Sequence, residues 1–365
     1  MLNLSDPYIL ITILTATVIL IIACCLLGFT VPNDPELKNY RTARRLLACA
    51  YVVLACAGLS ELIAGGRPAG SPLVLSLTLV IAYYQAFLFT FAMITLIDLR
   101  FMTQRRVLAQ LIPISAVSVL VMLCFAFASA KVFYVVFYIA CAYYCTLLIY
   151  YIYLFRKDYR RYRQQIDDYF AEGEERRMRW INSAFYMALG IGVLAIVSLF
   201  ITPFLYLLFT VAYTVFYIYF AVKYVNYVAI FHYFAPAISN SEQDNDMQSN
   251  APKGDISLLA DAWILRKGFT KNDITLGSLA LELKTNRTYL SGYINNYKNC
   301  NFKTWISRLR IEEAQRLLVE NPTLPVATVG EMVGIEDKSS FFRQFMNVTG
   351  KTPGEYRQKY IGVNN

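Results

Sequence analysis

Few residues in this 365-residue chain are of a type and spacing that could do catalytic chemistry. His232 is the only histidine, which leaves no His-rich metal site and no phosphorelay histidine, and neither a Walker loop, an H-E-x-x-H nor a G-x-S-x-G occurs. Of eight cysteines, seven (Cys24, Cys25, Cys49, Cys56, Cys124, Cys141 and Cys145) sit in apolar runs and Cys300 in the polar C-terminal part. None has zinc-site spacing, so they read as small packing residues. No catalytic set, metal or cofactor is expected. The remaining candidates are polar groups set among apolar neighbours: Glu61, and Gln85 beside Tyr83 and Tyr84. Inside a bilayer such groups are costly and default to function, so Glu61, Tyr84 and Gln85 are candidates for sensing a ligand. The alternative is a hydrogen bond between helices.

The elements holding these residues follow from where the charges fall. The chain is 57% hydrophobic and 16% charged, and between Tyr8 and about Phe234 the charges lie between long apolar runs. Uncharged stretches run from Pro7 to Asn33, Leu46 to Ser60, Pro68 to Ile97, Val107 to Ala130 and Val132 to Phe155, each near the roughly 20 residues that cross a bilayer. A further stretch, Trp180 to Val222, is twice that length and must fold back near Thr202-Pro203. Seven spans result, at about 8–28, 46–64, 73–97, 107–129, 132–155, 181–201 and 204–223, within a domain of residues 1–235. The odd loops hold 15 Lys and Arg and the even loops two, Arg67 and Lys131. That bias puts the odd loops and the C-terminus in the cytoplasm and the N-terminus outside. The tyrosine-rich fifth span and the stretch VNYVAIFHYF read as packing and interface aromatics, Trp180 reads as an interface anchor, and Pro236 is expected to end the last helix.

Residues 236–256 read as a flexible linker, most clearly SNSEQDNDMQSNAPKG. Beyond it, residues 257–365 carry 15 Lys and Arg against 10 Asp and Glu, a modest excess that suits an anionic partner. Helical patterns run at about 257–267, 275–283, 287–298, 302–320, 326–333, 338–348 and 353–360. The fold class is therefore all-α: a seven-helix transmembrane bundle followed by a small all-α domain.

Two segments of that domain share one plan. LALELKTNRTYLSGYI (Leu279 to Ile294) reads as helix, turn, helix. Leu279, Ala280, Leu283, Leu290 and Ile294 form its core, Ala280 is the small crossing residue, and Thr285 or Asn286 is the cap. VGEMVGIEDKSSFFRQF (Val329 to Phe345) repeats it with Gly330 at the crossing, Gly334 in the turn, Asp337 as cap, and Phe341 and Phe345 buried. Between them a helix from Phe302 to Glu320, about 28 Å long, can space two recognition helices over adjacent major grooves.

Three features carry a resemblance: RIEEAQRLL (Arg310 to Leu318), VGxxDKSSFFRQF, and the ending G-x-T-P-x-x-Y-R with Gly350, Thr352, Pro353, Tyr356 and Arg357. Over its last 100 residues or so the chain resembles the C-terminal DNA-binding domain of the AraC/XylS family of bacterial transcription regulators. The resemblance implies a tandem helix-turn-helix fold in which Pro353 starts a last helix and Tyr356 packs it back. It also implies contacts to double-stranded DNA from Arg287, Thr288, Ser291 and Gly292 in the first unit, and from Lys338, Ser339, Phe342 and Arg343 in the second. Arg and Lys suit guanine edges or phosphates, Ser and Thr either, and Phe342 a thymine methyl. The chain departs from the family at Gly292, often long and polar there, and at Ile335, Ser340 and Met346-Asn347. These changes spare the fold and bear on the strength of binding.

The expected whole is a non-enzymatic, sequence-specific, membrane-embedded transcription regulator in the bacterial inner membrane, responding to an unknown small-molecule or protein signal. Its expected partners are double-stranded DNA and the lipid bilayer, with RNA polymerase and a second copy of the chain as further ones. Two alternatives stand beside it: a transporter or receptor-partner module with an attached DNA-binding domain, and a passive anchor from which that domain is released by proteolysis.

Overall fold

The computed structural model describes residues 7–63, 71–171, 175–200, 202–238 and 255–361, and among these it is all-helical, with one isolated bridge between Phe170 and Thr275. Seven long helices come first: α1 (Pro7–Gly28), α2 (Lys38–Ile63), α3 (Pro72–Ile97), α4 (Gln104–Phe127), α5 (Ala130–Tyr169), α6 (Glu175–Val197) and α7 (Pro203–Ile238). All seven contain a segment long and apolar enough to cross a membrane. Seven shorter ones follow: α8 (Ile256–Leu265), α9 (Leu276–Glu282), α10 (Arg287–Tyr297), α11 (Phe302–Glu320), α12 (Val326–Met332), α13 (Lys338–Thr349) and α14 (Pro353–Ile361).

The chain divides into two compact units, but not at residue 235. The first comprises Met1–Tyr162 and Arg177–Ile238; the second joins Arg163–Arg176 to Ser239–Asn365. Helix α5 therefore contributes to both.

In the first unit the fold-back expected near Pro203 is present, with α6 ending at Val197 and α7 starting on Pro203, whose missing N–H costs nothing at a helix start. Several helices outrun the expected spans. Helix α2 begins at Lys38 rather than 46, because Arg41 bonds the carbonyls of Pro32 and Asp34 ahead of it. Helix α7 continues past Pro236 to Ile238: a proline this near a C-terminus removes one hydrogen bond, and the helix stops within a turn. The aromatics of its last part pack inward: Tyr227, Phe231 and Phe234 are buried. Trp180 likewise lies against Tyr227 and Phe220 of α7.

Tyrosine hydroxyls tie these helices to backbone carbonyls. Tyr40 donates to Tyr224 O (3.0 Å) and Tyr224 to Tyr40 O (2.9 Å), joining α2 and α7 reciprocally. Tyr51 donates to Tyr217 O (2.6 Å) and Tyr83 to Ala140 O (2.6 Å). Such bonds let these bulky polar rings pack between apolar helices with their hydroxyls satisfied.

The second unit has two cores arranged along α11. Phe302, Trp305 and Ile306 of its first half join Trp263, Leu279, Ala280, Leu290 and Ile294; Ile311, Ala314, Leu317 and Leu318 of its second half join Val329, Val333, Phe341 and Phe345. Arg310, 2% exposed, sits at the junction and donates to Phe269 O (2.8 Å) and Lys271 O (2.7 Å).

Candidate nucleic-acid interface

The same turn is built twice, fifty residues apart. Thr285 N–H donates to Ala280 O (2.8 Å) after α9, and Ile335 N–H donates to Gly330 O (2.8 Å) after α12. One residue earlier Lys284 (φ 54°) and Gly334 (φ 81°) both take the left-handed conformation that reverses the chain. Lysine is tolerated at the first. At the second, a Cβ would stand 2.5 Å from Thr270 O and 3.2 Å from the Arg310 guanidinium carbon, so only glycine fits.

The helix after each turn is capped by a side chain. Asn286, not Thr285, accepts the Tyr289 N–H (2.7 Å), and Asp337 accepts that of Ser340 (2.6 Å). Asn286 is 7% exposed, so water cannot replace it, and Asn286→Ala should cost about 1–2 kcal/mol. Hydrogen exchange across α10 in the full chain measures it; protection matching wild type would count against the cap.

The residues implied for DNA contact take equivalent places. Arg287, Thr288, Ser291 and Gly292 on α10 and Lys338, Ser339, Phe342 and Arg343 on α13 each follow the cap at i, i+1, i+4 and i+5, a single helix face. Thr288, Lys338, Ser339 and Arg343 are exposed, and Arg287, Ser291, Gly292 and Phe342 half-buried. Ser291 Oγ accepts from Asn295 (3.3 Å), and a Cβ at Gly292 would meet open space. Phe342 packs on the second core with Lys338 Nζ 5.9 Å above its ring, so part of that side chain serves packing.

Arg287 has a neighbour that the sequence reading missed. Its guanidinium lies 6.0 Å over the Tyr169 ring at the end of α5, and the Tyr169 hydroxyl faces Gly277, where a Cβ would stand 2.7 Å from it. Asp167 accepts from Lys303 (2.7 Å), Ala171 N–H donates to Ile274 O (3.1 Å), and Ala171 is buried in the first core. Spacing alone singles out neither Asp167 nor Tyr169; the apolar Phe170-Ala171 that follows is the one local sign of docking. Also missed were Tyr289, exposed on α10, and the Gln344 Oε1 that accepts from Ser307 (2.8 Å) and ties α13 to α11.

Glu313 on α11 is held below the usual carboxylate range by hydrogen bonds from Arg316 and then Lys267. Burial pushes the Cys300 thiol up, away from reactivity.

Of the candidates in the first unit, Tyr84 bonds Ser115 of α4 (2.9 Å), while Gln85 Nε2 donates to the Tyr217 hydroxyl of α7 (3.2 Å). Both side chains thus make hydrogen bonds between helices. Glu61 falls in the last turn of α2, and its side chain lies outside the described ones.

Comparison with known proteins matches residues 279–359 to the family described as "Helix-turn-helix domain". The chain is 31% identical over 88 residues to the Msm operon regulatory protein of Streptococcus mutans, covering 24% of this chain and 31% of that protein. It is 30% identical over 86 residues to the arabinose operon regulatory protein of Escherichia coli K12, covering 24% and 29%. The chain thus spans under a third of the length of these relatives. A solved structure, the C-terminal domain of AraT, a response regulator from Geobacillus stearothermophilus, is 29% identical over 30% of this chain and 88% of that one, with a TM-score of 0.27. With residues 279–359 spanning the repeated turn and both capped helices, the C-terminal part of this chain is a helix-turn-helix domain of the AraC/XylS type of transcription regulator.

Proposed function

We propose that the chain is a membrane-embedded one-component transcription regulator in which α1–α7 cross the bilayer, α10 and α13 read double-stranded DNA, and α5 couples the two. The observation carrying this reading is α5: one uninterrupted helix, Ala130–Tyr169, whose apolar part belongs to the first unit and whose end packs on the DNA-binding domain beside Arg287. Membrane residence is supported by the seven apolar helices and by side chains such as Ile112, Val119 and Leu123 of α4, which stand exposed where water would penalise them and lipid would not. Basic residues concentrated in the odd loops support a cytoplasmic DNA-binding domain and an external N-terminus.

The coupling is a competition. The Arg287 guanidinium lies over Tyr169 in this arrangement, so the end of α5 and a base or phosphate compete for the same side chain. A signal that shifts the helices, and with them the end of α5, then biases the balance by its differential affinity for the two arrangements.

Tyr169→Leu with Asp167→Asn removes one cation–π contact and two ion pairs of Asp167, a mostly buried one with Lys303 and a longer one with Arg163. Chromatin occupancy by the full-length variant should rise about fivefold at equal protein level, with the protein still in the membrane fraction. Unchanged or reduced occupancy would sink the coupling. Recovery of wild-type protein in the soluble fraction alone would sink membrane residence.

A further inference from the structure

A cavity of about 90 Å³ lies among α2, α3, α5, α6 and α7, within the first unit. It holds more than half the roughly 150 Å³ of an engineered cavity that takes benzene. Its lining carries no charged side chain; Phe89, Phe209, Tyr213 and Tyr217 give it aromatic walls. Two of its polar atoms lack partners. Gln85 spends its amide N–H on Tyr217, but its carbonyl Oε1 is buried with no donor, and the Thr90 hydroxyl, on a side chain 1% exposed, is likewise without a partner. Buried polar atoms normally find a hydrogen bond, and two orphans on the wall of one cavity point to a group that enters it.

Gly192 supports the same conclusion. It has an ordinary helical conformation, which needs no glycine, yet a Cβ there would stand 2.7 Å from the Tyr144 hydroxyl. Gly190, two residues away, has nothing within 4 Å. Of this pair only Gly192 lines the cavity, and its missing side chain leaves space between α5 and α6.

We infer that this cavity binds a small uncharged hydrocarbon bearing a hydroxyl, an aliphatic alcohol or a single-ring phenol. A hydroxyl suits either orphan, since it can donate to Gln85 Oε1 or accept from the Thr90 hydroxyl. A carboxylate or ammonium would be buried without a counter-ion, at a cost that a wall of uncharged groups cannot offset. The inference rests on the regulator reading only in making this occupant the signal.

The test uses full-length protein in lipid nanodiscs and a diazirine-bearing butanol as photoprobe, with labelled residues mapped by mass spectrometry. Labelling should concentrate on α3, α6 and α7 and be competed at least about tenfold better by butanol than by pentane, the worth of one good hydrogen bond. Thr90→Val, nearly isosteric, combined with Gln85→Leu should lower labelling about tenfold at an unchanged melting temperature; Gly192→Leu should abolish it by filling the space. Equal competition by pentane, labelling spread evenly along lipid-facing α4, or labelling indifferent to the folded Thr90→Val variant would each overturn the site. Retention of DNA by the same nanodiscs is read in parallel. DNA binding without saturable labelling removes the cavity site alone. Saturable labelling in a protein that never binds DNA removes the regulator reading and leaves the site standing.

Discussion

Changing Arg287 and Arg343 together to alanine should weaken binding to a cognate DNA site by at least about 30-fold and empty the protein's chromatin peaks. Each arginine heads or continues a capped helix on the face at i, i+1, i+4 and i+5, and a base contact of this kind is worth about 1–3 kcal/mol. The two losses should add, since one side chain belongs to each core's recognition helix. Arg343 holds the place on α13 that Gly292 holds on α10, where a Cβ would find open space. The second helix therefore carries a cation at a position the first leaves empty, and Arg287 carries correspondingly more of the first helix's affinity. Titration of labelled DNA at two salt concentrations separates the roles. A changed sequence preference marks base contact, and a smaller salt slope marks phosphate contact. Affinity within threefold of wild type would remove both residues from the interface.

Gly334→Ala should unfold the junction between the two cores. Positive φ alone is not the obstacle, because Lys284 adopts it at the equivalent turn. The added methyl would stand 2.5 Å from Thr270 O and 3.2 Å from the Arg310 guanidinium carbon, and Arg310 is what bonds the carbonyls of Phe269 and Lys271. Either the turn opens or Arg310 leaves its two acceptors, and burial leaves no water to replace it. A cost of about 2–4 kcal/mol is expected, appearing as faster hydrogen exchange in α11 and α12 of the full chain while α1 to α3 are unaffected. Exchange in α12 within a few-fold of wild type would contradict this account.

Local rules sufficed for the C-terminal helices. Asn and Asp caps, a glycine turn and Pro353 at a helix start place α9 to α14 within a residue or two of the expected bounds, and the Tyr356 ring packs against Phe345 as anticipated. Gly334 was legible as a turn but not as the residue against which Arg310 closes, since that contact joins positions far apart in sequence. Apolar length alone revealed seven candidate spans, whereas their true helix ends depended on groups such as Arg41 reaching back to carbonyls. Least legible was the end of α5. Its charges account for themselves as loop charges, and only the fold brings Asp167 to Lys303 and Tyr169 to Arg287. Gln85 was recognised as costly, but its two ends have different fates: one amide hydrogen is used between helices and the carbonyl is not.

The attachment of Arg163–Ala171 to the DNA-binding domain has a further consequence: in the competition proposed above, inhibitor and target are segments of one polypeptide. Their encounter is unimolecular, so it is governed by an effective local concentration and not by the amount of protein. Compared with a partner supplied in trans, the ion pairs of Asp167, the Arg287–Tyr169 contact, the Ala171–Ile274 hydrogen bond and the buried Phe170 and Ala171 side chains therefore need less affinity to hold the proposed closed state. Its occupancy is also independent of expression level: making more protein adds silenced copies and active copies in the same ratio. No separate repressor must be matched in stoichiometry, and a cell can read the signal with a handful of molecules or with thousands and obtain the same set point.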